Sequence, residues 1–482
     1  MFRQAIMKVI ESSETRENVI TDGTYRCTYG ELPEIFEKID AFLAGEKLGP
    51  PGCSLLRCGN SLPEAVVLLW LLQGQRDFLL LPRAVSKEQE TFEDTGLPQF
   101  CRSKLLVNPE APGFDIKEPA AYICVTANPQ FCRDSVRWRN SGDAGYVFMR
   151  TSGSTAEPKL VMHRQDKLFG NARNCVQRFE LRAQDRLMIP VPIYHMYGLG
   201  AAILPGMMAG AAVNLLARTN IIRYLDREKQ FKPNVSFLTP SLCEMFLQAR
   251  KSSYSHRLVV TAGDRINRAT FENFDGRFGR LVNLYGSTEL GAIATSALAQ
   301  PVDLRAEGIV EPMPGVEIRL DGSGGDGVGE ILCRHEYGFV TYLDKRGSET
   351  GEVGWFRTKD LGQQVGDRQF KVMGRIDNSV NRNGILVAFS EVESIMEQRI
   401  EEVAHVVVVA AEEENSRGQK LLACCELTPN GRADGKELRS RCFDVLPRYL
   451  VPDEVRVMAE IPRLPNGKFD RKRLAGMFGR KK

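Results

Sequence analysis

Several features that would announce a particular class of protein are missing from this chain. None of its twelve cysteines is spaced as CxxC, and no histidine pattern accompanies them, which argues against a zinc site. There is no excess of one charge: 64 basic residues against 61 acidic ones leave a formal net charge of +3. A whole-molecule field that would gather nucleic acid or anionic lipid is therefore excluded, and any polyanion must be held locally. The amino terminus, MFRQAIMKVIESSE, lacks the uninterrupted apolar stretch of a secretory signal, so free thiols in the cytoplasm are expected. Long hydrophobic runs are absent but for one. Met196–Ala217 continues for 22 residues without a charge, yet Pro205, several glycines and Asn214 interrupt it, so a buried helix is expected there rather than a membrane span. No internal repeat and no low-complexity segment is found.

What is present is an ordinary globular composition, 43% hydrophobic and 26% charged, in a chain of 482 residues, long enough for two or three folding units. Strand-like and helix-like runs alternate: SLPEAVVLLWLL reads as a buried helix, DFLLLP and VSFLTP as strands, PSLCEMFLQARK as a helix. That alternation predicts α/β layering. The glycine- and aspartate-rich DGSGGDGVGE predicts a turn between the antiparallel strands VEIRL and ILCRH, marking a β-rich part. After Arg375 come a helix (SEVESIMEQRI), two strands (HVVVVAA, KLLACCEL) and another helix (KELRSRCFDVL). The expected architecture is a large α/β amino-terminal domain over 1–375, made of layered subdomains with a β-rich one, and a small mobile α/β domain over 376–482.

The most informative stretch is YVFMRTSGSTAEPKLVMHR, where a β-rich run enters a loop of small hydroxylated residues, Thr151, Ser152, Gly153, Ser154 and Thr155, followed by Pro158 and Lys159. Such residues let the backbone approach a polyphosphate and offer amide and hydroxyl donors, and a lysine adds a point charge. A plain surface loop has the same composition. It is not the GxxxxGK[ST] phosphate loop, which weakens a phosphate-loop NTPase or kinase reading. TSGSTAEPK resembles the loop TSGSTGxPK of the adenylate-forming superfamily, which contains acyl-CoA synthetases, peptide-synthetase adenylation domains and luciferases. LYGSTELG, WFRTKDLG, GRIDNSVNRNG and PNGKFDRKRL resemble further blocks of that superfamily in the same order, so the likeness runs from about Tyr146 to Leu474.

The resemblance implies roles residue by residue. Tyr285 would stack on adenine, with Gly286 and Ser287 beside it; Thr288 would contact the α-phosphate and Glu289 would hold Mg²⁺. Asp360 would accept the ribose hydroxyls, Arg375 would bind ribose and phosphate, and Asp377 would be the interdomain hinge. Lys468 would reach into the active site, and Gly263, Asp264 and Asn283 would fall among the nucleotide positions. VPIYHMYGLG resembles a segment of acyl- and aryl-CoA synthetases that places His195 at the carboxylate pocket, with Met196, Gly198, Ala262 and Gly286 lining it. Between Val191 and Gly200 there is no acidic residue to pair with an α-ammonium group, unlike the amino-acid-activating branch. Three positions depart from the pattern: Ala156 and Lys359 replace glycines, and Asn381 replaces a lysine. Lysine at 359 is strained if that position needs positive φ.

The resemblance thus implies ATP- and Mg²⁺-dependent activation of a small carboxylic acid as its acyl-adenylate. Transfer to coenzyme A, or to the phosphopantetheine of a carrier protein acting in trans, would follow. A homologue that binds nucleotide without turnover and a luciferase- or lactone-forming relative are the alternatives. Arg463–Lys482, with eight basic residues and one acidic, could dock an acidic carrier or be a solvated tail.

Overall fold

The computed structural model describes residues 2–45, 53–83, 97–110, 115–135, 145–151, 159–217, 220–250, 254–322, 327–344, 346, 348–350, 354–382, 385–415, 418–464 and 468–478. Ser152, Gly153, Ser154, Thr155, Ala156 and Pro158 lie outside them, as does the side chain of Asn381.

Among the described residues the strands form a 13-stranded, an 8-stranded and a 5-stranded sheet. In the first, His256–Ala262 runs parallel to both Val235–Leu238 and Gly279–Ser287, and Arg186–Ile189 parallel to Val235–Leu238 and Ala212–Leu215. These strands are buried on both faces and read as continuous apolar runs, as parallel strands covered by helices do. Beyond Gly279–Ser287 the same sheet becomes antiparallel, ending in the pair Val316–Asp321 and Val328–His335. That pair is the hairpin expected around the glycine-rich segment. The 8-stranded sheet contains the hairpin Tyr146–Arg150 and Leu160–Arg164, whose loop starts at Thr151, where its N–H donates to the Lys159 carbonyl at 3.0 Å.

Between the layers lies the helix Leu62–Gln73, started by a Ser61/Glu64 capping box and apolar on every side, hence buried. The uncharged run proves to be two elements. Tyr197–Ile203 forms wide π-helical turns continuing into the helix Leu204–Ala209; the chain then reverses at Gly210 (φ 69°) into the strand Ala212–Leu215. Small residues permit the close approach: a Cβ on Gly198 would stand 2.1 Å from the Pro192 carbonyl oxygen. No helix among the described residues is long and apolar enough to cross a membrane.

In the carboxy-terminal part, the helix Phe389–Arg399 packs Phe389, Val392 and Met396 against Val406, Val408, Leu421 and Ala423, a core separate from the main one. The strands Val403–Asn415 and Gly418–Leu427 are antiparallel, and Gly435–Val445 is capped by Asp434.

Candidate active site

In a parallel sheet, side chains that follow the carboxyl ends of the strands converge on one rim, and ligands bind there. Arg186–Ile189 leads to His195, His256–Ala262 to Gly263 and Asp264, and Gly279–Ser287 carries Tyr285, Gly286 and Ser287 at its end. Strand geometry puts Asn283 and Tyr285 on one face, and the irregular pairing between Tyr285 and Gly286 follows. Gly263 has φ 96° with open space where a Cβ would stand, so the backbone turns there without crowding the rim. A Cβ on Gly286 would lie 2.4 Å from the Gly291 carbonyl oxygen, so only glycine allows the bulged pairing with the next strand.

One cluster gathers around a buried carboxylate. The Tyr285 hydroxyl donates to Asp360 at 2.6 Å, and the Arg375 guanidinium stands 3.4 Å from its other oxygen. Burial pushes the Asp360 carboxyl above its usual range, opposed by the Tyr285 hydroxyl, Arg375 and Lys468. Lys359, just before it, has φ 60°, so the position does require the left-handed conformation and lysine is strained in it. Lys468 enters from the opposite end of the sequence. Its ammonium disfavours the imidazolium of His195 as well, after the larger effect of the surrounding protein, and both push the ring below the usual histidine range. His195 is exposed, and the Tyr194 ring lies 4.5 Å away, centroid to centroid. Lys468 thus acts on His195 and Asp360 together, two groups held by different parts of the sheet.

A second cluster surrounds Glu289. Its carboxylate accepts from the Tyr342 hydroxyl at 2.9 Å, and the Lys159 ammonium sits 4.8 Å above the Tyr342 ring. One tyrosine therefore joins the lysine after the hydroxyl-rich loop to the carboxylate expected to hold a metal.

A sequence model described as AMP-binding enzyme matches residues 89–343, and one described as AMP-binding enzyme C-terminal domain matches 391–468. The chain belongs to the AMP-binding enzyme family. Curated members similar to it include the indoleacetate–CoA ligase of Aromatoleum aromaticum, 27% identical over 69% of this chain and 67% of that protein. The sulfoacetate–CoA ligase of Cupriavidus necator is 29% identical over 69% and 67%. Among solved structures, ATP-bound MatB from Rhodopseudomonas palustris superposes with a TM-score of 0.81 at 19% identity, covering 99% of each chain. The fold is that of these enzymes: a large amino-terminal domain and a small carboxy-terminal one.

Within this AMP-binding enzyme the expected site residues divide into three groups. Lys468, His195, Asp360, Tyr285 and Arg375 are brought together, and Glu289 acts electrostatically on Asp360. Ser287 and Asn283 are engaged within the fold. The Ser287 hydroxyl accepts the Leu290 N–H at 3.1 Å, and the Asn283 amide donates to the Arg305 carbonyl at 2.7 Å. Met196, Gly198 and Ala262 are buried behind the rim near His195. The third group, Ser152–Thr155, lies outside the described residues. Sequence reasoning missed Tyr342, His163, His335 and Arg265; the scarcity of histidine, five in all, was the one available signal for two of them. A cleft of about 670 Å³, lined by Glu244, Arg268, Glu397 and His405, lies between the two domains and contains none of the nucleotide positions.

Proposed function

We propose that this enzyme activates a carboxylic acid with ATP as the acyl-adenylate and then forms a thioester, most simply with coenzyme A. The observation that carries the reading is the pair of clusters at the rim: Asp360 held between Tyr285 and Arg375, and Tyr342 joining Lys159 to Glu289. Attack of a carboxylate on the α-phosphate brings two anions together and expels pyrophosphate, so fixed cations must neutralise the growing charge. Lys468 supplies one on the acid side and Lys159 one on the pyrophosphate side, with Thr288 as a donor between them. Tyr285 gives adenine an aromatic face, while Asp360, which accepts from Tyr285 and pairs with Arg375, takes the ribose together with that arginine. Glu289, whose carboxylate accepts from Tyr342, would hold a magnesium ion, a role that suits a carboxylate. That ion would supply further charge neutralisation.

His195 stays neutral at physiological pH, so it can orient the acid as a hydrogen-bond partner without forming an ion pair that would outlast the reaction. Asp377 lies in the short turn Ile376–Asn378 between the domains, the position from which rotation would withdraw Lys468 and admit a thiol. The absence of an acid between Val191 and Gly200 disfavours amino-acid substrates, since a buried ammonium without a carboxylate is costly. The names of the two curated relatives support coenzyme A over a carrier protein as acceptor.

Acid-dependent exchange of pyrophosphate into ATP, screened over aryl, alkyl and amino acids, tests the reading. Exchange with aryl or alkyl acids is expected. Exchange with none would refute the activity, and a preference for amino acids would refute the assigned pocket. Supplying the adenylated enzyme with coenzyme A or with phosphopantetheinylated carrier separates the two acceptors.

A further inference from the structure

The segment Thr288–Ala292 carries the residues proposed to meet the α-phosphate and the magnesium ion, and the carbonyls of Thr288, Glu289, Leu290 and Ala292 are each held by a donor from elsewhere in the fold. The Thr288 carbonyl lies 2.8 Å from His163 Nε2, and the Leu290 carbonyl lies 2.8 Å from His335 Nδ1. A carbonyl can only accept, so His163 donates from Nε2 and His335 from Nδ1. Between them the Glu289 carbonyl accepts the Phe339 N–H at 2.8 Å. Asn171 closes the end: its amide donates to the Leu290 and Ala292 carbonyls at 3.4 and 3.3 Å, and its oxygen accepts the Ala292 N–H at 3.4 Å. Gly291, with φ 67°, turns the chain where a Cβ would meet Asn171 at 2.7 Å.

Both rings are buried, and their remaining nitrogens, His163 Nδ1 and His335 Nε2, have no hydrogen-bond partner among the described residues. A histidine kept for packing or solubility gains nothing from an unsatisfied buried nitrogen, which costs free energy. What each ring does is hold one carbonyl. The two come from different places: His163 lies on the strand Leu160–Arg164, directly after Lys159, and His335 ends the strand Val328–His335 of the antiparallel part. We propose that His163 and His335 are positioning residues that clamp the Thr288–Leu290 backbone, so that Thr288 and Glu289 face the α-phosphate and magnesium in fixed register with Lys159. The inference rests on the proposed roles of Thr288 and Glu289, and neither histidine touches substrate.

The two donors sit at different ring positions, which gives an atom-specific test. Glutamine places its amide nitrogen near an imidazole Nε2, and asparagine places it near Nδ1. His163→Gln and His335→Asn should therefore keep the clamp, whereas His163→Asn, His335→Gln and the leucine variants of both should lose it. MgATP binding is read by calorimetry, exchange by its kcat, KM for ATP and half-saturating Mg²⁺, and folding by thermal unfolding. The clamp-breaking variants are expected to bind MgATP and exchange about 10–100-fold less well, as for loss of one hydrogen bond to a buried carbonyl, with a raised Mg²⁺ requirement. Thiolysis of a supplied adenylate should change far less, and the atom-matched variants should stay close to the parent. Should a leucine variant fail to fold, the four amide variants decide alone. Equal behaviour of matched and mismatched amides, or parent-like MgATP binding in the clamp-breaking variants, overturns the proposal. A parent protein that binds no MgATP overturns the functional reading beneath it and the clamp with it.

Discussion

Replacing Arg265 by alanine should slow adenylation while sparing thioester formation. Arg265 follows Asp264 at the rim of the amino-terminal domain, and its guanidinium lies 3.0 Å from Glu397 and 3.9 Å from Glu393 on the carboxy-terminal helix Phe389–Arg399. Glu397 is almost fully enclosed, with 8% side-chain exposure against 34% for Arg265, and accepts one further bond, from the Val406 N–H at 3.0 Å. Burial pushes its carboxyl up, and Arg265 is the largest opposing influence. A hydrogen bond between charged groups contributes ~1.5–3 kcal/mol, and the partial exposure of Arg265 reduces that to ~1–2 kcal/mol. The pair forms in the domain orientation that brings Lys468 toward His195 and Asp360, and a rotation of the small domain about Asp377 would break it. Losing it should shift the balance of orientations by roughly 5–30-fold. Pyrophosphate exchange should then fall by up to that factor, while thiolysis of a supplied adenylate holds or rises. A folded Arg265→Ala protein in which both half-reactions fall equally, or in which exchange is untouched, would refute the reasoning.

Lys468→Ala should abolish most exchange but leave thiolysis of supplied adenylate; equal loss of both would contradict its place on the adenylation side only. Lys359→Gly should raise the denaturant midpoint slightly, because relief of a left-handed lysine, ~1–2 kcal/mol, exceeds the entropic cost of glycine, ~0.5–1 kcal/mol; a lowered midpoint would count against strain at that position. His256, buried beside Tyr224 and the Phe278 carbonyl, is pushed down to about 4 by burial from an ordinary value of 6.5. Above pH 6.5 it is neutral folded or unfolded; between 6.5 and about 4 the unfolded chain binds a proton that the native one refuses, so stability should decline across that window. Denaturant midpoints measured from pH 7.5 to 4.5 check this, and a His256→Phe variant should show a shallower decline.

Most elements were legible from the sequence because their signals are local. The apolar runs around Leu62–Gln73, Phe78–Pro82 and Val235–Leu238 and the antiparallel pairing of Val316–Asp321 with Val328–His335 are decided by periodicity, caps and turn-forming residues within a few positions. The strain at Lys359 was legible too, since the departure from glycine marks a backbone demand. Where the uncharged run Met196–Ala217 was expected to be one helix, the structure divides it at Gly210, because the strand Ala212–Leu215 has parallel neighbours on both sides to satisfy its backbone. Periodicity cannot separate a buried strand from a buried helix when nothing polar marks a face.

The sequence by itself determined the α/β class, the order of the motif blocks and the charged groups available for adenylation. Tertiary structure alone decided which groups meet: Tyr342 between Lys159 and Glu289, His163 and His335 behind Thr288–Leu290, Arg265 across the domain boundary. These partners stand far apart in the chain and come together through strand pairing and domain docking. A side chain's neighbours along the sequence carry no record of a contact whose energy exists only once distant backbone has been ordered around it.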